Sequence, residues 1–404
     1  MIPVAEALAR VTAGVRPVAS EQVALVDALG RVLAEDVASR LSHPPAAVSS
    51  MDGYAVRAAD VATVPAKLSL IGESAAGAGF KGKLGARECV RIFTGAPLPE
   101  GADAVVIQED AEASGNTVTM NESVTPGKWV RPAGLDFKAG EVLLKAGQIL
   151  SARDIGLAAA MNVPWLKVRR RPRVAIIATG DEVVMPGDPL GPDQIVSSNS
   201  VALAAYVKAL GGEPINLGIA RDTEDSLHAL LAGVKGADLL VTSGGASVGD
   251  YDLVRRVLGQ EGLEINFYTI AMRPGKPLIF GRLGEVPMLG LPGNPVSAGV
   301  CSVIFLKPAI EVMLGIRRDD RPAPTALLGR DLSENDKRED YLRAALSVEA
   351  DGQLVATPFA KQDSSMMAFL AQADCLVVRP PFAPPAKKGE RVRIVPLRHG
   401  LISI

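Results

Sequence analysis

DLLVTSGGASVGDYD (residues 238–252), AMRPGKPLIFG (271–281) and VPMLGLPGNPVS (286–297) are three segments whose apolar runs are short enough for buried strands. Each is broken by a turn that carries the polar groups. The run from Asp238 to Thr242 predicts a strand feeding Ser243, Gly244 and Gly245, with Ser247 beyond and Asp250 and Asp252 opening the next helix. Glycine removes the Cβ that would keep a ligand from backbone N–H groups, so such a turn can wrap an anion. Carboxylates beside a phosphate site imply Mg²⁺ between them. Arg273 and Lys276 supply positive charge on a turn stiffened by Pro274 and Pro277. In the last segment, Pro292 and Gly293 lead to Asn294 as helix N-cap, Pro295 at the first helical position and Ser297 in the first turn, which makes a second anion site. Turn chemistry alone explains any one of these loops. Three within about sixty residues read together as a phosphate and metal site at the carboxyl ends of strands.

The flanking sequence supports an open α/β sheet. VAIIA, INLGI, LLVTS and INFYTI alternate with helical patterns at Val201–Leu210, Glu224–Leu231 and Asp252–Leu258, the signature of a doubly wound fold. Two more acidic points follow strands. Asp222 stands beside Thr223, where a helix cap also explains it; Glu182 has no helix pattern after it for a dozen residues.

Upstream, Val4, Leu8 and Val11, then Val23, Val26, Leu29, Val32 and Leu33, keep helical spacing and predict helix across residues 3–40. From Lys67 to Ala139 the character is β, with Asp52, Thr94 and Asp136 on loops of a module that shows no chemistry of its own. Ser151 and Asp154 form a capping box for a helix ended by Pro164. The basic run Arg169–Arg173 reads as a solvated linker. Beyond Pro322 the chain returns to β, with Asp351-Gly352 as a type I′ hairpin signal and Ser364 and Ser365 in a polar loop.

Composition bounds the rest. The 404 residues imply two to four domains, and a net charge of −2 gives no field for nucleic acid or an anionic membrane. Three dispersed cysteines argue against disulfides and zinc knuckles, and three dispersed histidines against a His-based centre. No signal peptide is expected, nor any run approaching a membrane span, so a cytoplasmic protein is predicted.

Eight strings in order, SSMDGYAVR, TGAPLPEGADAVV, RPAGLDFKAGE, ATGDE, GIARD, TSGGASVGDYD, MRPGKP and LPGNPVSA, resemble the molybdopterin molybdenumtransferases, the molybdenum insertases to which the gephyrin E domain is related. The resemblance implies a discontinuous helical N-terminal domain (residues 1–45 and 141–170) and an inserted β domain (46–140). It also implies a molybdopterin-binding-like α/β domain (171–318) and a C-terminal β-barrel (319–404). It implies a homodimer with the site shared between subunits, and transient contact with a molybdopterin adenylyltransferase and cofactor-accepting enzymes. The implied reaction inserts molybdenum from molybdate into adenylylated molybdopterin, with Mg²⁺-dependent cleavage of the phosphoanhydride and release of AMP. On this resemblance Glu182, Asp222, Asp250 and Asp252 serve Mg²⁺ or the AMP-bearing end, Asp52, Thr94 and Asp136 approach from the partner subunit, and Arg273, Lys276 and Ser297 hold molybdate or phosphate oxygens. Ser364 and Ser365 match a family loop. Arg273 stands where many relatives carry lysine, which exchanges a point charge for a planar fork. Two other readings remain: a molybdopterin adenylyltransferase, against which SGGAS and the extra domains argue, and a non-enzymatic gephyrin-like scaffold.

Overall fold

Strand Leu239–Ser243 is buried at every position and lies inside a six-stranded sheet. Its neighbours are Arg173–Thr179 on one side and Val286–Leu291 on the other; Glu213–Ala220 lies beyond the first, Pro277–Leu283 and then Leu263–Thr269 beyond the second. The first four strands run parallel, and Pro277–Leu283 runs antiparallel to both of its neighbours. Near-continuous apolar runs are what a strand covered on both faces needs. One face, with Val174, Ile176, Val241 and Leu289, packs on helix Ser198–Ala209 and on the helix beginning at Pro295. The other, with Ala175, Ile177, Leu240 and Met288, packs on Leu227 of helix Glu224–Leu231. In this computed structural model the described residues are 1–244, 257, 259, 261–317 and 322–397. The predicted Asp252–Leu258 helix and the predicted site residues Gly245, Ser247, Asp250 and Asp252 lie outside them, except Val257.

The helix after Asn294 runs from Pro295 to Met313, with a π turn at Ser302–Leu306 just before Pro308. By length and composition it is apolar enough to cross a membrane, which corrects the expectation that no run approaches a span. It is a core helix: 67% of its apolar window is buried inside the protein.

The expected helix over residues 3–40 is also corrected. Only Val4–Ala13 is α-helical, and it buries Val4, Ala7 and Val11 in the α/β core beside helix Lys307–Met313. Ser20–Ala24 is a strand paired antiparallel with Trp165–Arg169, and Val37–Ala38 pairs with Val142–Leu144. The apolar stripe misled because a stripe makes a helix only where its face is buried, and Val26 is 88% exposed. Ala28 and Leu33 instead join Leu150, Ala158 and Leu166 in a separate core around helix Ala152–Ala160, whose Ser151–Asp154 capping box is present. Nor is Arg169–Arg173 a free linker. Arg170 forks onto Asp238 at 2.6 and 2.7 Å, and the Arg173 N–H donates to the same carboxylate at 2.7 Å.

Between these halves lies a six-stranded sheet ordered Ala104–Ile107, Gly53–Val56, Glu88–Ile92, Ala66–Ser74, Thr117–Met120 and Ala111–Ser114. At the carboxyl side, Thr325–Leu328, Glu339–Val348, Leu354–Pro358, Cys375–Arg379 and Arg391–Pro396 close into a five-stranded barrel through the pairing of Glu339–Val348 with Cys375–Arg379. Its hairpin at Asp351-Gly352 is not type I′. Only Gly352 has a positive φ, 83°, and Glu349 pairs with Gln353 around a three-residue loop. A short strand, Met272–Arg273, leaves the α/β sheet and pairs with Glu339 and Asp340 of the barrel.

Candidate active site

The carboxyl ends of the parallel strands open into a cleft of about 580 Å³. Thr179 ends one strand and Glu182 follows it, Ser243 ends the next and Gly244 follows it, and Pro292, Gly293 and Asn294 follow the third. The first residues of two helices complete the wall: Ser198 and Asn199 on one side, Pro295 and Ser297 on the other. Helix N-termini carry unpaired N–H groups and partial positive charge, so the arrangement favours an anion. Ser365, from the barrel, also lines the cleft.

Backbone approach sets the shape. Gly244 has φ +96°, and a Cβ there would lie 2.5 Å from the Thr179 carbonyl oxygen and 2.9 Å from its Oγ1. A Cβ on Gly293 would be 3.6 Å from Gly244 Cα, so the two turns meet backbone to backbone. Gly180 has φ +135°, and a Cβ there would fall 2.5 Å from Glu182 Oε2, because the Glu182 carboxylate folds back over it. Glu182 is held by strand Val183–Val184, which pairs with Ile195–Val196, and its carbonyl accepts from Ile195 N–H at 2.7 Å.

Asn199 is a residue the sequence reading missed. Its Nδ2 donates to Ser243 Oγ at 2.8 Å and to the Gly293 carbonyl at 2.7 Å, bracing the two turns. Its signal was present in VSSNS, a helix start placed after a strand. Asn294 stands at the expected N-cap position and Pro295 at the helix start, but its side chain makes no cap; Nδ2 donates instead to Ser364 Oγ at 3.1 Å. Arg343 was missed as well. It is 1% exposed and, from barrel strand Glu339–Val348, donates to the carbonyls of Asp363 at 2.9 Å and Met366 at 3.0 Å, fixing the loop that carries Ser364 and Ser365.

Thus the structure gathers Glu182, Ser243, Gly244, Pro292, Gly293, Asn294, Ser297 and Ser365 around one cleft, with Ser364 bonded to Asn294. Asp222 is not among the lining residues; its N–H donates to Asp181 Oδ1 at 3.1 Å, and Thr223, not Asp222, caps the following helix. Arg273 and Lys276 are exposed and also outside the lining. The Arg273 guanidinium pairs with Asp340, with Asp336 at 3.3 Å and with Asn335 Oδ1 at 3.2 Å, all on the barrel. Burial pushes the Asp340 carboxyl up, against the lowering by Arg273.

Asp52 and Thr94 meet each other on the inserted sheet. Thr94 N–H and Oγ1 both donate to Asp52 Oδ1, at 2.7 and 2.8 Å, and these bonds, the backbone one first, hold the Asp52 carboxyl below the usual range. Asp136 is bonded to neither; its N–H donates to the His43 carbonyl at 3.0 Å. Among the described residues, no three His, Cys, Asp or Glu side chains come together as a metal site.

A parallel sheet with glycine turns and helix N-termini converging at its carboxyl edge defines a ligand-binding α/β unit, here joined to a closed barrel and an inserted β sheet. Comparison with known families agrees part by part. Residues 2–162 match the MoeA N-terminal region (domains I and II), 175–312 a probable molybdopterin-binding domain, and 325–397 the MoeA C-terminal region (domain IV). The molybdopterin molybdenumtransferase of Nostoc sp. is 40% identical over 370 residues, covering 89% of this chain and 85% of the relative. That of Haemophilus influenzae is 35% identical over 386 residues, covering 95% of each. A crystal structure of the molybdopterin biosynthesis MoeA protein from Pyrococcus horikoshii superposes with a TM-score of 0.87 at 35% identity, covering 99% of this chain and 100% of that one. The chain belongs to the molybdopterin molybdenumtransferase family, enzymes of molybdenum-cofactor biosynthesis.

Proposed function

We propose that this protein takes adenylylated molybdopterin and molybdate, cleaves the phosphoanhydride, releases AMP and leaves molybdenum on the dithiolene. The observation that carries the reading is the meeting of the Gly244 and Gly293 turns, two helix N-termini and Glu182 in one cleft. Phosphoanhydride cleavage needs charge neutralisation and positioning more than a strong nucleophile. Hydroxyls of Ser243 and Ser297 and the helix N-termini supply positioning for phosphate oxygens; Glu182 brings a carboxylate to the same wall.

Magnesium suits the donor type, since hard cations take carboxylate oxygens. In this reading Glu182 and Asp222 would hold it, with Asp250 and Asp252 from the stretch outside the described residues. When bound, the ion neutralises charge developing on the phosphate oxygens.

Arg273 and Lys276 sit on the turn preceding Pro277, which lines the cleft, and are proposed to meet molybdate there. Asp52, Thr94 and Asp136 stand outside the cleft lining, which supports a homodimer in which the partner subunit's copy of the inserted sheet completes the site. A cytoplasmic location goes with this reading.

The test is AMP release from adenylylated molybdopterin, with molybdate and Mg²⁺ each present or omitted. Release that needs both and yields active cofactor supports the reading. Tight binding with no turnover under any condition points to a scaffold, and formation of adenylylated molybdopterin from ATP points to an adenylyltransferase.

A further inference from the structure

Thr179 ends strand Arg173–Thr179 at the cleft and is 5% exposed. Its Oγ1 is buried and has no hydrogen-bond partner among the described residues. Among the described residues only one other buried side-chain oxygen shares that condition, Asp340 Oδ1, whose carboxylate already pairs with Arg273 through its second oxygen. A buried hydroxyl without a partner is destabilising, whereas valine of the same shape would avoid that cost. The hydroxyl lies beside Gly244, in the wall made by Ser243, Asn199 and the two helix starts. Among the described residues that wall carries no lysine or arginine, and its one charged residue is Glu182. An incoming oxygen that accepts hydrogen bonds from hydroxyl and N–H groups is the partner this chemistry takes.

We propose that Thr179 is a specificity-determining residue for the cleft: its hydroxyl donates to an anionic phosphate oxygen of the bound ligand. Asn199 acts through others, holding the Ser243–Gly244 and Gly293 turns at the spacing the contact needs. The inference rests on the reading of the cleft as a phosphate-binding part of the adenylylated-molybdopterin site. Two phosphates of that ligand share the chemistry, one on the nucleotide and one on the pterin.

The experiment compares wild type, Thr179→Val and Thr179→Ser in the full-length chain. Binding of adenylylated molybdopterin, AMP and adenosine is measured by calorimetry, and the thermal midpoint is measured without ligand. A charge-assisted hydrogen bond predicts a loss of about tenfold or more in affinity for the full ligand in Thr179→Val, recovered in Thr179→Ser. The unliganded Thr179→Val protein keeps or raises its midpoint, because the unpaired hydroxyl is gone. An equal loss for AMP, with adenosine binding unchanged, assigns the contact to the nucleotide phosphate; an AMP affinity that stays constant assigns it to the pterin phosphate. Unchanged affinity for the full ligand in Thr179→Val overturns the inference and leaves the functional reading standing. A lower midpoint with equal losses for AMP and adenosine makes Thr179 structural and also overturns it. Wild type that binds none of the three overturns the functional reading itself, and this inference with it.

Discussion

Asn294 reaches from the start of the buried helix to the barrel, its Nδ2 donating to Ser364 Oγ at 3.1 Å, while Val296 N–H donates to the Ser364 carbonyl at 3.1 Å. A loop of one unit therefore closes over the helix start of another at the edge of the cleft. Removing the side-chain bond in Asn294→Ala costs about 0.5–1.5 kcal/mol. The backbone bond remains, so the expected outcome is a looser loop in a folded protein: faster amide exchange over residues 362–366 and a rise in KM larger than the fall in kcat. Exchange equal to wild type in that loop would show that the Val296 backbone bond and Arg343 fix it without the Asn294 side chain.

Thr94 clamps Asp52 through one oxygen, with the backbone N–H as the larger influence and the hydroxyl second. Since the folded pKa is depressed, the clamp's contribution is fully present above the ordinary carboxylate value of about 3.9 and is lost as pH falls through the folded pKa. Asp52 is then ionised throughout the neutral range. Thr94→Val removes only the hydroxyl, so the Asp52 titration followed by NMR moves up toward the ordinary value without reaching it. An Asp52 pKa that does not move in this variant would mean the backbone N–H carries the whole effect.

Gly244 is placed where no side chain fits. A methyl group there meets the Thr179 carbonyl at 2.5 Å, and φ +96° is costly for any L-residue. Gly244→Ala is expected to destabilise the α/β unit by about 1–3 kcal/mol and to displace the turn from Gly293. The checks are a lower thermal midpoint together with loss of AMP binding. A variant of wild-type stability would show that the turn relaxes freely and that its shape is not fixed by Thr179.

The α/β unit was legible because its strands are covered on both faces and its turns need glycine, so pattern and structure have one cause. Glu224–Leu231 and the Ser151–Asp154 cap follow from local chemistry and are found where the pattern puts them. Residues 20–40 were not legible. Val23, Val32 and Leu33 keep helical spacing, yet their neighbours come from residues 142–168, and nothing local says that the strand Trp165–Arg169 will pair there. Arg170 and Arg343 were hidden for the same reason, since a charged run or a lone arginine is read as solvated until its carboxylate or carbonyl partners are known. Glycines and serines of the site were legible as turn chemistry. Asn199 was passed over because its role joins two loops distant in sequence.

A site shared between subunits makes a prediction that a site within one chain does not. Asp52→Ala removes the acceptor of the Thr94 clamp on the inserted sheet, and Glu182→Ala removes the carboxylate at the cleft. Glu182 is exposed and Asp52 is half-buried on a surface loop, so the folded state is expected to survive each change. Each homodimer alone would lack one group at both sites and release AMP at a small fraction of the wild-type rate. After subunit exchange, half of the dimers in an equimolar mixture are mixed. A mixed dimer has one site in which the intact Glu182 of one chain faces the intact Asp52 of the other, and a second site that lacks both. Activity should therefore recover to about a quarter of wild type, because half the dimers carry one working site of two. The check is AMP release before and after exchange, with mixed dimers confirmed by native mass spectrometry of differently tagged chains. Confirmed mixed dimers with no recovery would place Asp52 and Glu182 in the same chain's site or in unrelated roles.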